Sequence, residues 1–386
     1  MPHLRLLALL LLPAQLVLAA PSATAVQRVP VERQEHILVS ALEDADWRYL
    51  AFPSVIDLGD EVLVAYKRGR AHYNDPGSVI ERVRVDGRTG RPGPRERVAA
   101  IDQTVTEMGQ WVLFPNGEIA NYIDAQISTK AGHTRTGLRV TRSTDGGRTF
   151  GPVERVGVID GIEYGYAFEA VSEGRDAWML AMTFSNLTGG KSVFAGRPLA
   201  GSVNVIHSAD NGRTWRFVRN LSEEFGNVPI NESTLKLQGD GFLVSTRGYD
   251  DRQRLHRTDR QFKVLRQVDL TEKYPFIASH MGRPRLFDQD GGVYLLGRNS
   301  TRRPLPGERR APMQLCLFRI DPEKLTVTSY AILDNAEEAN VTDGYYAYPY
   351  FRNVGGKPRM NVITYKGLDK QPPQIIRLEY LWDEVR

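Results

Sequence analysis

The 386 residues contain one cysteine, Cys316, so no disulfide can form within the chain. It lies in the apolar run 313–318 with no partner motif, which reads as a small core residue rather than a nucleophile. No H-E-x-x-H or C-x-x-C motif occurs, and the sequence calls for no metal and no cofactor. After residue 25 there is no run of 18 apolar residues, so nothing there is written as a spanning helix. Segments of helical period are missing too, apart from a short turn near 221–225, which argues against a doubly wound α/β fold. Blocks of one charge are absent. Fifty Lys and Arg against 46 Asp and Glu leave +4, spread along the chain with no nucleic-acid arm. A hydrophobic share of 41% excludes a disordered or fibrous chain.

The first 25 residues stand apart. Arg5 gives a positive start, 6–19 form an apolar stretch, and Ala23-Thr24-Ala25 makes a small-residue cleavage site. The expectation is a secretory signal peptide over 1–25 and a secreted or periplasmic product.

The rest of the chain is repetitive. A turn with Asp or Gly (Lys in the last copy) precedes a short apolar or alternating run at Asp60, Gly117, Asp176, Asp240, Gly291 and Lys357. Turn chemistry followed by Val, Ile, Leu and Tyr marks β-hairpins. Six starts spaced 51 to 66 residues apart fit the blades of a six-bladed β-propeller, an all-β fold filling 26–386 as one domain. A second motif, S-x-D-x-G-x-T-aromatic, occurs at Ser143–Phe150 and again at Ser208–Trp215, with degenerate copies at Asp86, Asp259 and Asp321. In it the Asp can bind backbone N–H groups and Gly permits positive φ.

These turns resemble the Asp boxes (BNR repeats) of the sialidase, or neuraminidase, superfamily of six-bladed propellers, and the resemblance covers most of 40–380. It implies an exo-acting glycoside hydrolase that removes a terminal acidic sugar with retention through a tyrosyl intermediate. Asn231-Glu232-Ser233-Thr234 followed across a D-G turn by Thr246-Arg247 resembles the family's Glu, which polarises the tyrosine, and its carboxylate-binding Arg. Antiparallel neighbours place such a strand start and strand end side by side. Within Asp343–Tyr350, Tyr348 aligns best as the nucleophile, with Tyr345 and Tyr346 in reserve. A phenol needs a neighbouring base, here Glu232, to attack. Asp75 or His72, on the first blade's loop, would be the general acid. Arg310, just before an apolar strand, resembles a second carboxylate-binding Arg, with Arg309 nearly as good. Arg283 and Arg285 are further possibilities, and Arg298 ends its strand as Arg247 does. One departure stands out. Where the family writes F/Y-R-I-P, this chain reads Leu50-Ala51-Phe52-Pro53, so the first arginine of the triad is missing. Arg48, three residues earlier, or Lys67-Arg68 at the end of the neighbouring strand would have to supply that cation.

The partner expected is a glycan ending in sialic acid or a related 2-keto-3-deoxy sugar acid. Nucleic acid, a membrane after leader removal, and a second subunit are not expected. Two alternatives stay open: a polysaccharide lyase using His72 or a tyrosine as base, and a non-catalytic glycan-binding propeller.

Overall fold

The computed structural model describes residues 26–73, 75–129, 132–183, 192–194, 197–199, 202–369 and 371–386. The expected signal peptide lies outside the described residues. Six antiparallel sheets follow one another along the chain and form a ring. Their innermost strands are Tyr49–Asp57, Val105–Leu113, Ile162–Glu173, Ile230–Gln238, Gly282–Gln289 and Tyr348–Val354. Each recurring turn of the sequence, from Asp60 to Lys357, lies in the hairpin between the first and second strands of its blade. The chain start closes the ring: Gln34–Val39 pairs with Gln374–Leu381 as the outer strand of the sixth blade. Gln27–Val29 runs parallel to Thr326–Asp334 on the fifth.

Alternation of side chains across each strand gives every blade two apolar faces, so burial happens between blades. Six hydrophobic cores result, one at each junction. Tyr122 and Trp215 meet between blades two and three, Leu243 and Phe318 between four and five, and Tyr66 and Ile363 between one and six. Cys316 is fully buried in one of them, its thiol pushed up to about 12 by burial. The short helix expected near 221–225 is Leu221–Glu224, capped by Asn220, and an equivalent turn, Leu270–Lys273, follows the fourth blade.

The Asp boxes sit where the third strand turns into the fourth. Asp210 accepts from the N–H groups of Arg213 at 3.1 Å and Thr214 at 2.9 Å, while Ser208 Oγ accepts from Gly212 N at 2.8 Å. Asp145 repeats the arrangement one blade earlier, with Arg148 N at 2.8 Å and Thr149 N at 2.9 Å. The hydroxyl and N–H of Thr149, then the Ser143 hydroxyl and the Arg148 N–H, hold the Asp145 carboxyl well below its usual range. Arginines on the third strand of each preceding blade clasp the box: Arg84 donates to Gly146 O at 2.6 Å, and Arg142 donates to Asn211 O at 3.2 Å. Gly212 is confined from both sides. Its φ is +70°, and an added Cβ would lie 2.3 Å from Phe114 Cζ. Gly212→Ala should therefore destabilise the protein by about 2 kcal/mol. Gly117→Ala, at φ +83° in open space, should lose about 1 kcal/mol or less. Denaturant unfolding of both variants checks the difference.

Candidate active site

The inner strands are not regular. In the first blade Phe52-Pro53 stands opposite the single residue Tyr66, and in the second Glu107-Met108 stands opposite Asp124. In the fourth Asn231-Glu232 opposes Arg247, and in the fifth Arg283-Pro284 opposes Gly297. The third blade has irregularities at Tyr164/Tyr166 and Ala167/Glu169. In the sixth, 345–347 face two residues between Gly344↔Lys366 and Tyr348↔Ile363. Such bulges re-aim a side chain out of the alternating pattern. Here they do so at one level of every blade, at the end of the ring away from the Asp boxes. Two bulges begin with a residue before Pro at positive φ, Phe52 at 55° and Arg283 at 44°. Pro lacks the N–H that a ladder position would need, so these dipeptides suit only a break in the ladder.

The bulges surround an axial cavity of about 230 Å³. Phe52, His72, Glu107, Tyr166, Glu232 and Tyr346 are among its walls. Glu232 is 3% exposed and forms an ion pair with Arg247 across the hairpin. Its other oxygen accepts from Tyr166 Oη at 3.1 Å, and Tyr346 lines the same cavity. Burial alone would raise the Glu232 carboxyl. Arg247, Arg283, the Tyr346 hydroxyl and Arg298 outweigh it and hold the group at about 2. Burial and the charge of Glu232 push the Tyr346 phenol up to about 12, so it rests protonated. The Arg298 guanidinium lies 5.1 Å from the centre of the Tyr346 ring. Arg247 and Arg298 thus flank a tyrosine–glutamate pair.

Tyr348 does not occupy that place. It is back in the ladder opposite Ile363, one step deeper than the bulge. Its hydroxyl donates to Gln110 Oε1 at 3.1 Å, and the Arg285 guanidinium covers its ring at 3.4 Å. Of the tyrosines in 343–350, Tyr346 lines the cavity with Glu232. Tyr345 points the other way and donates to Asp334 Oδ2 at 2.8 Å.

Arg283 is a strut under the cavity rather than a free cation. Its guanidinium donates to Tyr166 Oη at 2.7 Å, to Gln110 Oε1 at 2.6 Å and to Phe168 O at 2.8 Å. Arg285 is likewise held by Glu169. Arg48 is exposed and donates to Asp44 O at 2.8 Å, and Arg68 is engaged by Asp44 and Glu81, so neither lines the axial cavity. The missing first arginine is therefore not replaced from these positions. The side chain that the bulge turns to the cavity is Phe52, not Ala51, and Phe52 packs edge-on against His72 at 4.9 Å. Arg309 and Arg310 line a separate cavity.

Asp75 is a loop staple. It is 3% exposed, and its carboxylate accepts the N–H groups of Arg70 at 2.7 Å and Ala71 at 3.3 Å. Both bonds close the loop on itself, so the carboxylate is turned into its own turn and not toward the axial cavity. His72, three residues earlier, does reach the cavity. Its Nδ1 lies 2.7 Å from Asp343 Oδ2, and Tyr365 donates to the other oxygen at 2.9 Å. Burial pushes the Asp343 carboxyl up, but hydrogen bonds from His72, Tyr49 and Tyr365 bring it below its ordinary value. An ionised carboxylate keeps the proton on Nδ1 and leaves Nε2 for other work.

Sequence reasoning gave no role to Glu107 or Asp124, and offered Lys67 only as a source of the missing cation. The Glu107 carboxyl is raised by burial, against the opposing charge of Lys67, whose Nζ lies 3.4 Å away. Asp124, also raised by burial, is held by Arg135 at 2.9 Å. The one signal that could have found them is the pair of inward positions at each bulge, which needs strand pairing to be visible.

No family model matches the chain, and no curated protein matches it. Solved structures do. A Dyadobacter fermentans protein of unknown function aligns over 92% of this chain and 98% of its own, with a TM-score of 0.67 and 16% identity. A Trypanosoma rangeli sialidase in complex with sialic acid aligns over 93% of this chain and 60% of its own, at 0.60 and 10%. A NanB sialidase variant of Streptococcus pneumoniae aligns over 97% and 73%, at 0.59 and 9%. The chain has the six-bladed propeller fold of sialidases, a glycosidase-type fold.

Proposed function

We propose that this protein is a retaining exo-glycosidase acting outside the cytoplasm on a glycan that ends in an acidic sugar, sialic acid or a related 2-keto-3-deoxy acid. The observation that carries the reading is the placing of Tyr346 and Glu232 in one axial cavity, with Arg247 paired to Glu232 and Arg298 beside the Tyr346 ring. Arg247 and Arg298 bind the sugar carboxylate, and a planar guanidinium does so bidentately. Phe52 replaces a third cation with an apolar wall, so two arginines carry the anion here.

Tyr346 Oη attacks the anomeric carbon and its proton passes to Glu232. The glycosidic C–O bond breaks, and the leaving oxygen takes the proton of His72. Water then attacks the tyrosyl–sugar bond with His72 as base, and Tyr346 recovers its proton from Glu232. A neutral nucleophile avoids repulsion with the sugar's own carboxylate, and sialidases are the tyrosine exception among glycosidases. At rest Glu232 is a weak base, because Arg247 holds it ionised. A substrate carboxylate arriving on Arg247 competes with Glu232 for that guanidinium. The competition raises the basicity of Glu232 at the moment Tyr346 must lose its proton.

Turnover of a panel of chromogenic sialic and Kdo-type ketosides tests this reading. A product absorbing in the ultraviolet would instead mean elimination with His72 as base. Binding without turnover on every member would mean a non-catalytic propeller. His72→Ala should lower kcat on natural, poor leaving groups about 100-fold, while nitrophenyl ketosides, which need no acid, change far less. Equal losses on both would remove His72 from the acid role.

A further inference from the structure

Beside the axial site lies a second cavity, of about 390 Å³, between the 275–280 segment, the end of the strand Gly292–Asn299 and the loop 299–313. Its lining includes Arg298, Arg302, Arg303, Arg309 and Arg310 against one carboxylate, Asp251. Glu308 and Glu338 neutralise Arg302 at 2.8 and 2.9 Å. Among the described residues no ion pair engages Arg298, Arg303, Arg309 or Arg310. Arg303, Arg309 and Arg310 are exposed, so their charge faces the cavity mouth and solvent rather than the protein interior.

The cavity neighbours the axial site at two residues. Arg298 lines it and also stands 5.1 Å from the Tyr346 ring. His280 lines it as well, and its imidazole feels the charges of Arg247, Arg298, Glu232 and Arg310 together. Desolvation and then those arginines push the imidazole down, so His280 stands neutral at the junction with one donor and one acceptor. Three exposed guanidiniums without an ion pair in one concave wall, with Arg298 at its inner end, make a field that attracts an anion.

We infer that this cavity is a second anion subsite, which takes a sulfate or carboxylate on the sugar next to the one cleaved. The inference rests on the glycosidase reading for the place of the cut, not for the binding of the anion. The substrate class is then a polyanionic glycan, such as a sulfated chain or one with successive acidic sugars, rather than a neutral glycan with a single acidic end.

The test compares two ketosides of the same terminal acidic sugar, one with a galactose leaving group and one with a sulfated galactose. The unchanged protein should show kcat/KM about tenfold higher on the sulfated substrate, and the preference should fade as salt rises. Arg309→Ala/Arg310→Ala should abolish the preference and leave the neutral substrate unchanged. A carboxylate-bearing leaving group in place of the sulfate separates the two anion sources. Both side chains are exposed, so the double variant should fold normally. A second arm needs no catalysis: isothermal titration with a sulfated galactose should give binding that weakens about tenfold in the double variant. No preference in the unchanged protein, or equal losses on both substrates, would overturn the subsite. If no ketoside turns over but the sulfated galactose binds and the double variant weakens it, the glycosidase reading fails and the subsite stands.

Discussion

Tyr346→Phe keeps the ring and should lower kcat about a thousandfold or more, with binding of the free acidic sugar little changed. The substitution removes only the hydroxyl oxygen, in the cavity that Glu232 also lines. Tyr348→Phe is the matched control. Its hydroxyl serves Gln110, which still receives Arg283 at 2.6 Å, so the loss should be about 1 kcal/mol of stability and less than tenfold in kcat. Steady-state kinetics on a chromogenic acidic ketoside decides between the two tyrosines. The reverse order of effects would return the nucleophile to Tyr348.

Arg247→Met should have the largest effect on stability. Glu232 is buried, and a carboxyl held at about 2 instead of 4.5 contributes about 3 kcal/mol to folding at neutral pH. Removing Arg247 leaves that charge partnered mainly by Arg283, and breaking a buried pair on one side typically loses about 3–5 kcal/mol. The sign with pH follows from the direction of the shift. A depressed carboxylate stabilises fully above pH 4.5, and the contribution disappears as pH falls from 4.5 through about 2. The gap between the original protein and Arg247→Met should therefore be widest at neutral pH and narrow below 4.5. Denaturant melts at pH 7 and pH 3.5 measure it. A gap that does not change with pH would mean that Arg247 matters through packing alone. The same substitution should weaken binding of an anionic sugar, because one of its two guanidiniums is gone.

How much of this was legible depended on sequence distance. The blade turns from Asp60 to Lys357 and the Asp boxes are short-range chemistry: an Asp or Gly at a fixed offset decides the turn within a few residues. Glu232 and Arg247 were readable for the same reason, since a single hairpin brings them together. Tyr346 and Tyr348 have the same parity in an unbroken strand, so alternation cannot separate them. What separates them is height along the axis, set by the bulge at 345–347, and that depends on pairing with 363–366. Asp75 misled because N-D-P-G is turn chemistry, and the carboxylate completes its own loop. Arg310 was placed by resemblance to an Arg before a strand and Arg48 by its nearness to Ala51, whereas the 299–313 loop and the exposed position of Arg48 put them elsewhere. Glu107, Gln110 and Asp343 meet their partners across blades, from parts of the chain more than 100 residues apart in the case of Gln110 with Arg283. No local pattern encodes that.

The most direct measurement is covalent. A fluorinated acidic-sugar inactivator slows breakdown of a glycosyl-enzyme and traps it for peptide mass spectrometry. One added sugar should appear on the peptide that spans 343–352, with fragment ions placing it on Tyr346 and not on Tyr345 or Tyr348. Label on Glu232 would mean a carboxylate nucleophile, and label on Tyr348 would contradict the role given to the bulge.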